Sequence, residues 1–212
     1  MRANDPAVIE AIRRAASEAG IDPATALAFA QRESAFNPAA RNSKTIRGLF
    51  QMRGDNRAKY GVGDSDDPYE QTKGWARFIG DVRREMSGKL GRDVTDAESY
   101  AGHHFGGRRA ASMMGMDPQT PVDSVFTPRE MAQNPHFAKA GTVGRLLSDV
   151  TGDIDIRRAK FGASSGEDFA QFGTPVEVVD LSSFGTLAEP QQTKGSEAAS
   201  SALDLSQFGR PV

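Results

Sequence analysis

Cysteine is absent from this 212-residue chain, which excludes disulfides, thiolate metal sites and a cysteine nucleophile. Charge of one sign is missing too. The 26 basic and 28 acidic residues leave a formal charge of -2, which is no footprint for nucleic-acid binding. No apolar run approaches the ~20 residues that cross a bilayer. The stretch Met1 to Gly20 lacks the apolar core of a signal peptide, because Glu10, Arg13, Arg14 and Glu18 punctuate it. The expectation is a protein without a transmembrane segment or an export signal. Strand signals are scarce before residue 150, so the expected fold is mostly α.

Helix signals, by contrast, are plentiful. Asp5-Pro6 and Asp22-Pro23 each combine an N-cap side chain with a proline at the first turn. Val8, Ile9, Ile12, Ala15, Ala16 and Ala19 follow the first pair at helical spacing, up to Gly20. Ala26, Phe29 and Ala30 follow the second, which ends near Ser34 before Asn37-Pro38. Residues 37–56 read as loop with short ordered pieces. A third helix is expected from Pro68 to Met86 and a fourth from Asp96 to Phe105, closed by Gly106-Gly107. Short helical pieces are expected at 108–114, 128–132 and 142–150.

After residue 150 the composition shifts to Gly, Ser, Gln and acidic residues. The chain therefore divides into a domain at 1–150 and a low-complexity, extended or disordered tail at 151–212. A short repeat runs through the tail. Asp168-Phe-Ala-Gln-Phe172-Gly173 resembles Asp204-Leu-Ser-Gln-Phe208-Gly209, with a weaker copy at Asp180–Gly185. The Phe anchors fall 12 and then 24 residues apart. A biased linker and a set of docking motifs, each placing one Phe in a partner's pocket, fit this pattern equally.

One position stands out inside the domain. Ala26, Phe29, Ala30 and Glu33 are spaced i, i+3, i+4, i+7, so Glu33 continues the face that turns to the core. A carboxylate there loses water and gains pKa, as a general acid requires. On spacing alone the plainer alternative, a helix-end glutamate turned to solvent, stands ahead. The residues that follow reverse the order. Glu33-Ser34-Ala35-Phe36-Asn37-Pro38-Ala39-Ala40 precedes Gly48-Leu49-Phe50-Gln51-Met52. This pair of segments resembles the soluble lytic transglycosylase (SLT) family, whose domain is similar to goose-type lysozyme. That family pairs a catalytic Glu-Ser and Phe-Asn-Pro-x-Ala with a later Gly-Leu-Met/Phe-Gln.

The resemblance covers roughly residues 5–150 and implies a lysozyme-like domain with Glu33 as acid and base. It implies substrate-binding roles for Ser34, Gly48, Gln51 and Met52. Ser34 would orient Glu33 or bind sugar, Gln51 would meet an N-acetyl group, and Gly48 would let backbone approach the cleft. Leu49, Phe50 and Met52 would pack behind that wall, with substrate contact equally open for Phe50 and Met52. A third family motif, Ala-Tyr-Asn-x-Gly, is replaced here by Gly102-His103-His104-Phe105-Gly106. Phage members of the family read Tyr-Leu-Ala-His-Phe-Leu-Gly at this place, and Tyr100 to Gly106 is similar to that variant. His103 would take the position whose Tyr bonds the catalytic carboxylate, His104 the Asn position, and Tyr100 would join the substrate site. Adjacent histidines on a helix diverge and no HExxH-type pair is present, so no metal is expected.

The implied reaction cleaves the bond between N-acetylmuramic acid and N-acetylglucosamine in peptidoglycan. It forms a 1,6-anhydro end and uses no cofactor. A hydrolytic muramidase, with Asp55, Asp64, Asp66 or Asp67 positioning water, stays open. So does an inactive lysozyme-like glycan-binding or structural module. Without an export signal, the expected setting is a phage virion that carries the protein to the host cell wall. There the tail would dock onto other virion proteins.

Overall fold

The computed structural model describes residues 5–162. Helices α1 (Pro6–Glu18) and α2 (Pro23–Ser34) start where their Asp-Pro pairs place them, Asp5 and Asp22 accepting the N–H of Ala7 and Ala24. A two-stranded antiparallel hairpin follows, β1 (Ile46–Arg47) with β2 (Met52–Arg53), in the stretch where a loop with short ordered pieces is expected. Helix α3 (Gly54–Lys59) leads to the long α4 (Pro68–Leu90), which Asp67 caps at its start and Gly91 ends in a left-handed conformation. The expected end at Met86 falls one turn short, because Gly88 weakens the helix without breaking it.

Helix α5 (Asp96–Phe105) coincides with the sequence expectation and opens on a capping box between Thr95 and Glu98. Helices α6 (Gly107–Met114), α7 (Pro128–Gln133) and α8 (Pro135–Ala140) are short. Helix α9 runs from Val143 to Gly162. It crosses the boundary drawn at residue 150 without a break. Leu146, Val150, Ile154 and Phe161 are all buried in the core that the other helices share. The helix thus carries the packed core past residue 150, as far as Phe161. The repeats at 168–176, 180–185 and 204–212 lie outside the described residues.

Helix α2 is the central element. Every residue from Ala24 to Ala30 is buried, with α1 on one side and α9 on another. The apolar stripe seen in the sequence is thus part of a helix covered all round, and its alanines let neighbours approach closely. The deepest packing centres on Trp75 of α4, which stacks on Phe50 (4.4 Å between centroids) and meets Phe29 edge-on at 5.0 Å. Helix α5 lies so close to α4 that a Cβ on Gly102 would stand 2.4 Å from Met86 Sδ. Among the described residues no helix is long and apolar enough to cross a membrane.

Candidate active site

Glu33 occupies the last turn of α2, where the buried segment emerges. The helix stops immediately beyond it. Ala35 and Phe36 both adopt left-handed backbone, with their N–H groups bonded to Gln31 and Ala30 carbonyls. Buried Phe36 anchors this turn against Phe161 of α9, 5.9 Å between ring centres. Ala35, Phe36 and Gln51 are the non-glycine residues with positive φ among those described. All three belong to the two motif segments, and such concentrated strain is typical of functional sites.

The Glu33 side chain is 12% exposed. Tyr100 of α5 donates its hydroxyl proton to Glu33 Oε1 at 2.5 Å, and Arg32 Nε donates to the same Tyr100 oxygen at 2.8 Å. Burial pushes the Glu33 carboxyl up to about 7, against the Tyr100 hydrogen bond and the Arg32 charge, which both favour the carboxylate. Burial also pushes the Tyr100 hydroxyl well above its ordinary range, with the Glu33 charge adding to it. Tyr100 is therefore a hydrogen-bond donor at any working pH.

His103 does not take the role expected of it. Its Nε2 lies 3.7 Å from Glu33 Oε1, beyond hydrogen-bond reach, and its Nδ1 is buried without a partner. Burial holds His103 down to about 4 although the Phe50 backbone opposes this, so the imidazole is neutral and forms no ion pair with Glu33. The carboxylate's partner is Tyr100, one helical turn earlier on the same face. Its longer side chain reaches across to α2 while His103 turns toward the hairpin. Tyr100 is only 2% exposed, so it positions Glu33 and does not line a surface for sugar. His104 faces away from Glu33. Its ring lies 6.2 Å from that of Tyr100 and 4.6 Å from that of Phe105, and burial, with Arg32 nearby, takes it down to about 3.

The hairpin turn carries the second segment. Gly48, Leu49, Phe50 and Gln51 join β1 to β2, and the turn points into the protein, with Leu49 and Phe50 essentially unexposed. A buried turn needs partners for its backbone. Gln71 of α4 partners the Leu49 N–H and ties the turn to the neighbouring loops. Its Oε1 accepts the Leu49 N–H at 2.7 Å, while its Nε2 donates to Pro38 at 2.9 Å and Ser65 at 3.1 Å. Buried Arg57 completes the frame, donating to the Gly63 carbonyl at 2.9 Å and the Ser65 carbonyl at 2.7 Å. Neither was identified from the sequence. Gln71 had a signal, since it shares the helical stripe of Trp75, Ile79 and Val82 as a polar residue on an inward face. Arg57 had none.

These contacts revise several expected roles. Gly48 is glycine because of the frame: at φ +87°, a Cβ there would stand 2.4 Å from Gln71 Oε1 and 2.5 Å from Arg57 Nη1. Met52 is 4% exposed and belongs to the core, not to a binding surface. Ser34 returns its hydroxyl proton to the Ala30 carbonyl at 3.0 Å, so it does not orient Glu33. Gln51 donates to Gly48 O at 2.8 Å, while its Oε1 is buried without a partner. Only the acceptor end of this amide is left to meet a ligand's N–H.

The loop aspartates are engaged locally. Asp64 pairs with Arg47, Asp66 with Arg41 and Asp55 with Arg53, while Asp67 caps α4. Among the described residues no group of three or more His, Asp or Glu side chains is placed to hold a metal ion. Two surface hollows, one beside Lys73 and Arg77 and one beside Asp155 and Arg158, are not lined by Glu33.

Residues 10–90 match the family model described as the transglycosylase SLT domain. Over these residues the chain is similar to that domain, in agreement with the resemblance of its two motif segments. The matched stretch contains Glu33, the hairpin turn and Gln71, and stops short of Tyr100 and α9. The chain is also similar to the membrane-bound lytic murein transglycosylase F of Shewanella sediminis (strain HAW-EB3), 27% identical over 105 residues. That alignment covers 47% of this chain and 22% of the relative, so the chain spans about a fifth of its length. Within the matched stretch lie the Glu33 carboxyl at the end of α2 and the hairpin turn, while the Tyr100 that holds the carboxyl comes from α5, beyond it.

Proposed function

We propose that the protein is a peptidoglycan lytic transglycosylase in which Glu33 serves as acid and then as base. One observation carries this assignment: a nearly buried carboxyl, held by Tyr100 and poised at about 7, keeps its proton near neutrality. Protonated Glu33 donates to the oxygen that joins N-acetylmuramic acid to N-acetylglucosamine. The bond from that oxygen to the muramic C1 breaks, and the substrate's own N-acetyl group stabilises the positive charge left on the ring. Glu33, now a carboxylate, takes the proton of the muramic C6 hydroxyl as its oxygen closes onto C1. The products are a free N-acetylglucosamine hydroxyl and a 1,6-anhydro muramic end. Water is not consumed. The engagement of Asp55, Asp64, Asp66 and Asp67 elsewhere favours this over inverting hydrolysis, in which a second carboxylate activates water.

Mass spectrometry of purified sacculi after digestion tests the assignment. Anhydro ends are expected from the wild type, and roughly 10³-fold slower release from Glu33→Gln. Reducing ends would mean a muramidase. Equal release by the variant, or none by the wild type, would leave a glycan-binding or structural module.

Delivery by a phage virion to the host cell wall belongs to the same proposal. Its support is the likeness of Tyr100–Gly106 to the phage variant and the Phe-Gly repeats after residue 168. A peptide of residues 163–212 should be retained by other virion proteins, and lack of retention would remove the docking role.

A further inference from the structure

The hydrogen bonds at Glu33 do not end at Tyr100. Arg32 Nε bonds the Tyr100 oxygen, and the same guanidinium pairs through Nη1 with Asp153 of α9. Asp153 in turn accepts from Arg157 Nε at 2.7 Å, and Arg157 Nη1 reaches back to Gln31 Oε1 of α2 at 3.0 Å. The Arg32 guanidinium also lies over the Tyr100 ring, 5.0 Å from its centroid. Arg32 is thus fixed on three sides, and its side chain is 12% exposed against 31% for Asp153. We propose that Asp153 and Arg32 are positioning residues: Asp153 orients the Arg32 fork, Arg32 orients the Tyr100 hydroxyl, and Tyr100 orients the Glu33 carboxyl.

This inference rests on the assignment of Glu33 as the acid, and it brings α9 into the machinery of the site. The planar guanidinium is suited to this, since its donors are held at fixed angles and serve two partners at once. Geometry of this order matters, because misplacing a catalytic group by about 1 Å costs on the order of 10²-fold in rate. The charged and titratable groups about Glu33 are Arg32 from α2, Tyr100, His103 and His104 from α5, and Asp153 and Arg157 from α9; His136 of α8 lies behind His104. The two guanidinium groups hold Asp153 charged against the effect of its partial burial. Asp153 therefore offsets the positive charge of Arg32 as felt at Glu33.

Two variants with opposite electrostatic sign test the arrangement. In Asp153→Asn the Arg32 charge is no longer offset, so the titration midpoint of Glu33 should fall. In Arg32→Gln the charge is gone and the midpoint should rise. The midpoint is read by carbon-13 NMR of the labelled carboxyl in the full chain, assigned with Glu33→Gln, and needs no substrate. On murein, Asp153→Asn should lower kcat about tenfold with little change in KM, and its alkaline limb should move to lower pH. Unmoved midpoints in the folded variants, with lowered melting temperature alone, would overturn the proposal and leave Asp153 a staple for α9. If Asp153→Asn does not fold, the sign of the Arg32→Gln shift decides. A wild type that releases nothing from murein would overturn the enzymatic assignment, while the NMR titration would still decide this one.

Discussion

At the scale of the residue, Glu33 is a compromise between holding a proton and tolerating its loss. Burial favours the neutral form, and Tyr100 and Arg32 pull the other way, which leaves the carboxyl at about 7 instead of its ordinary 4.5. The native state therefore binds this proton more tightly than the unfolded chain does. The stabilisation it brings is complete below about pH 4.5 and is lost as the pH rises through about 7, worth at most about 3 kcal/mol. Glu33→Gln removes the titration and keeps an oxygen to accept from Tyr100. The variant should melt above the wild type at about pH 8, with the gap closing at about pH 4. A gap of equal size at both values would show that the carboxyl is not held up by burial.

At the scale of the element, the hairpin turn is an inward-pointing loop whose buried Leu49 N–H is satisfied by a side chain from α4. Phe50 stacks on Trp75, Gln71 accepts the Leu49 N–H, and Arg57 braces the neighbouring loop at Gly63 and Ser65. Gly48→Ala would combine a left-handed backbone with two contacts near 2.5 Å, so a loss of about 2 kcal/mol or more is expected in urea unfolding. Gln71→Leu leaves the buried Leu49 N–H without its acceptor and should cost about 1–3 kcal/mol. A loss well under 1 kcal/mol in both would mean that the frame is looser than its hydrogen bonds imply. The strained residues Ala35, Phe36 and Gln51 persist because such packing over-determines them.

At the scale of the whole molecule, α9 closes the domain. It covers α2 and α5, buries Ile154 and Phe161 beyond residue 150, and supplies Asp153 to the network at Glu33. A chain ended at residue 150 loses these contacts and one ended at 162 keeps them. Deleting two large buried side chains costs several kcal/mol, so the shorter chain should melt well below the longer one or fail to fold. Equal melting temperatures would return the boundary to 150.

Local chemistry determined a good deal of this protein. The Asp-Pro starts, the capping box at Thr95 and the glycine stops set the helix ends within about a turn, because capping is decided by neighbours in sequence. The Glu33 and Gly48–Gln51 segments were legible for the same reason, each being a short run with its own pattern. Tertiary structure decided which side chain holds Glu33, why Gly48 must be glycine and how far the domain extends. Tyr100 and Glu33 are 67 residues apart, and Arg32 and Asp153 are 121 apart. Partnerships at that separation are set by how helices cross and how far side chains reach, and no local pattern encodes either.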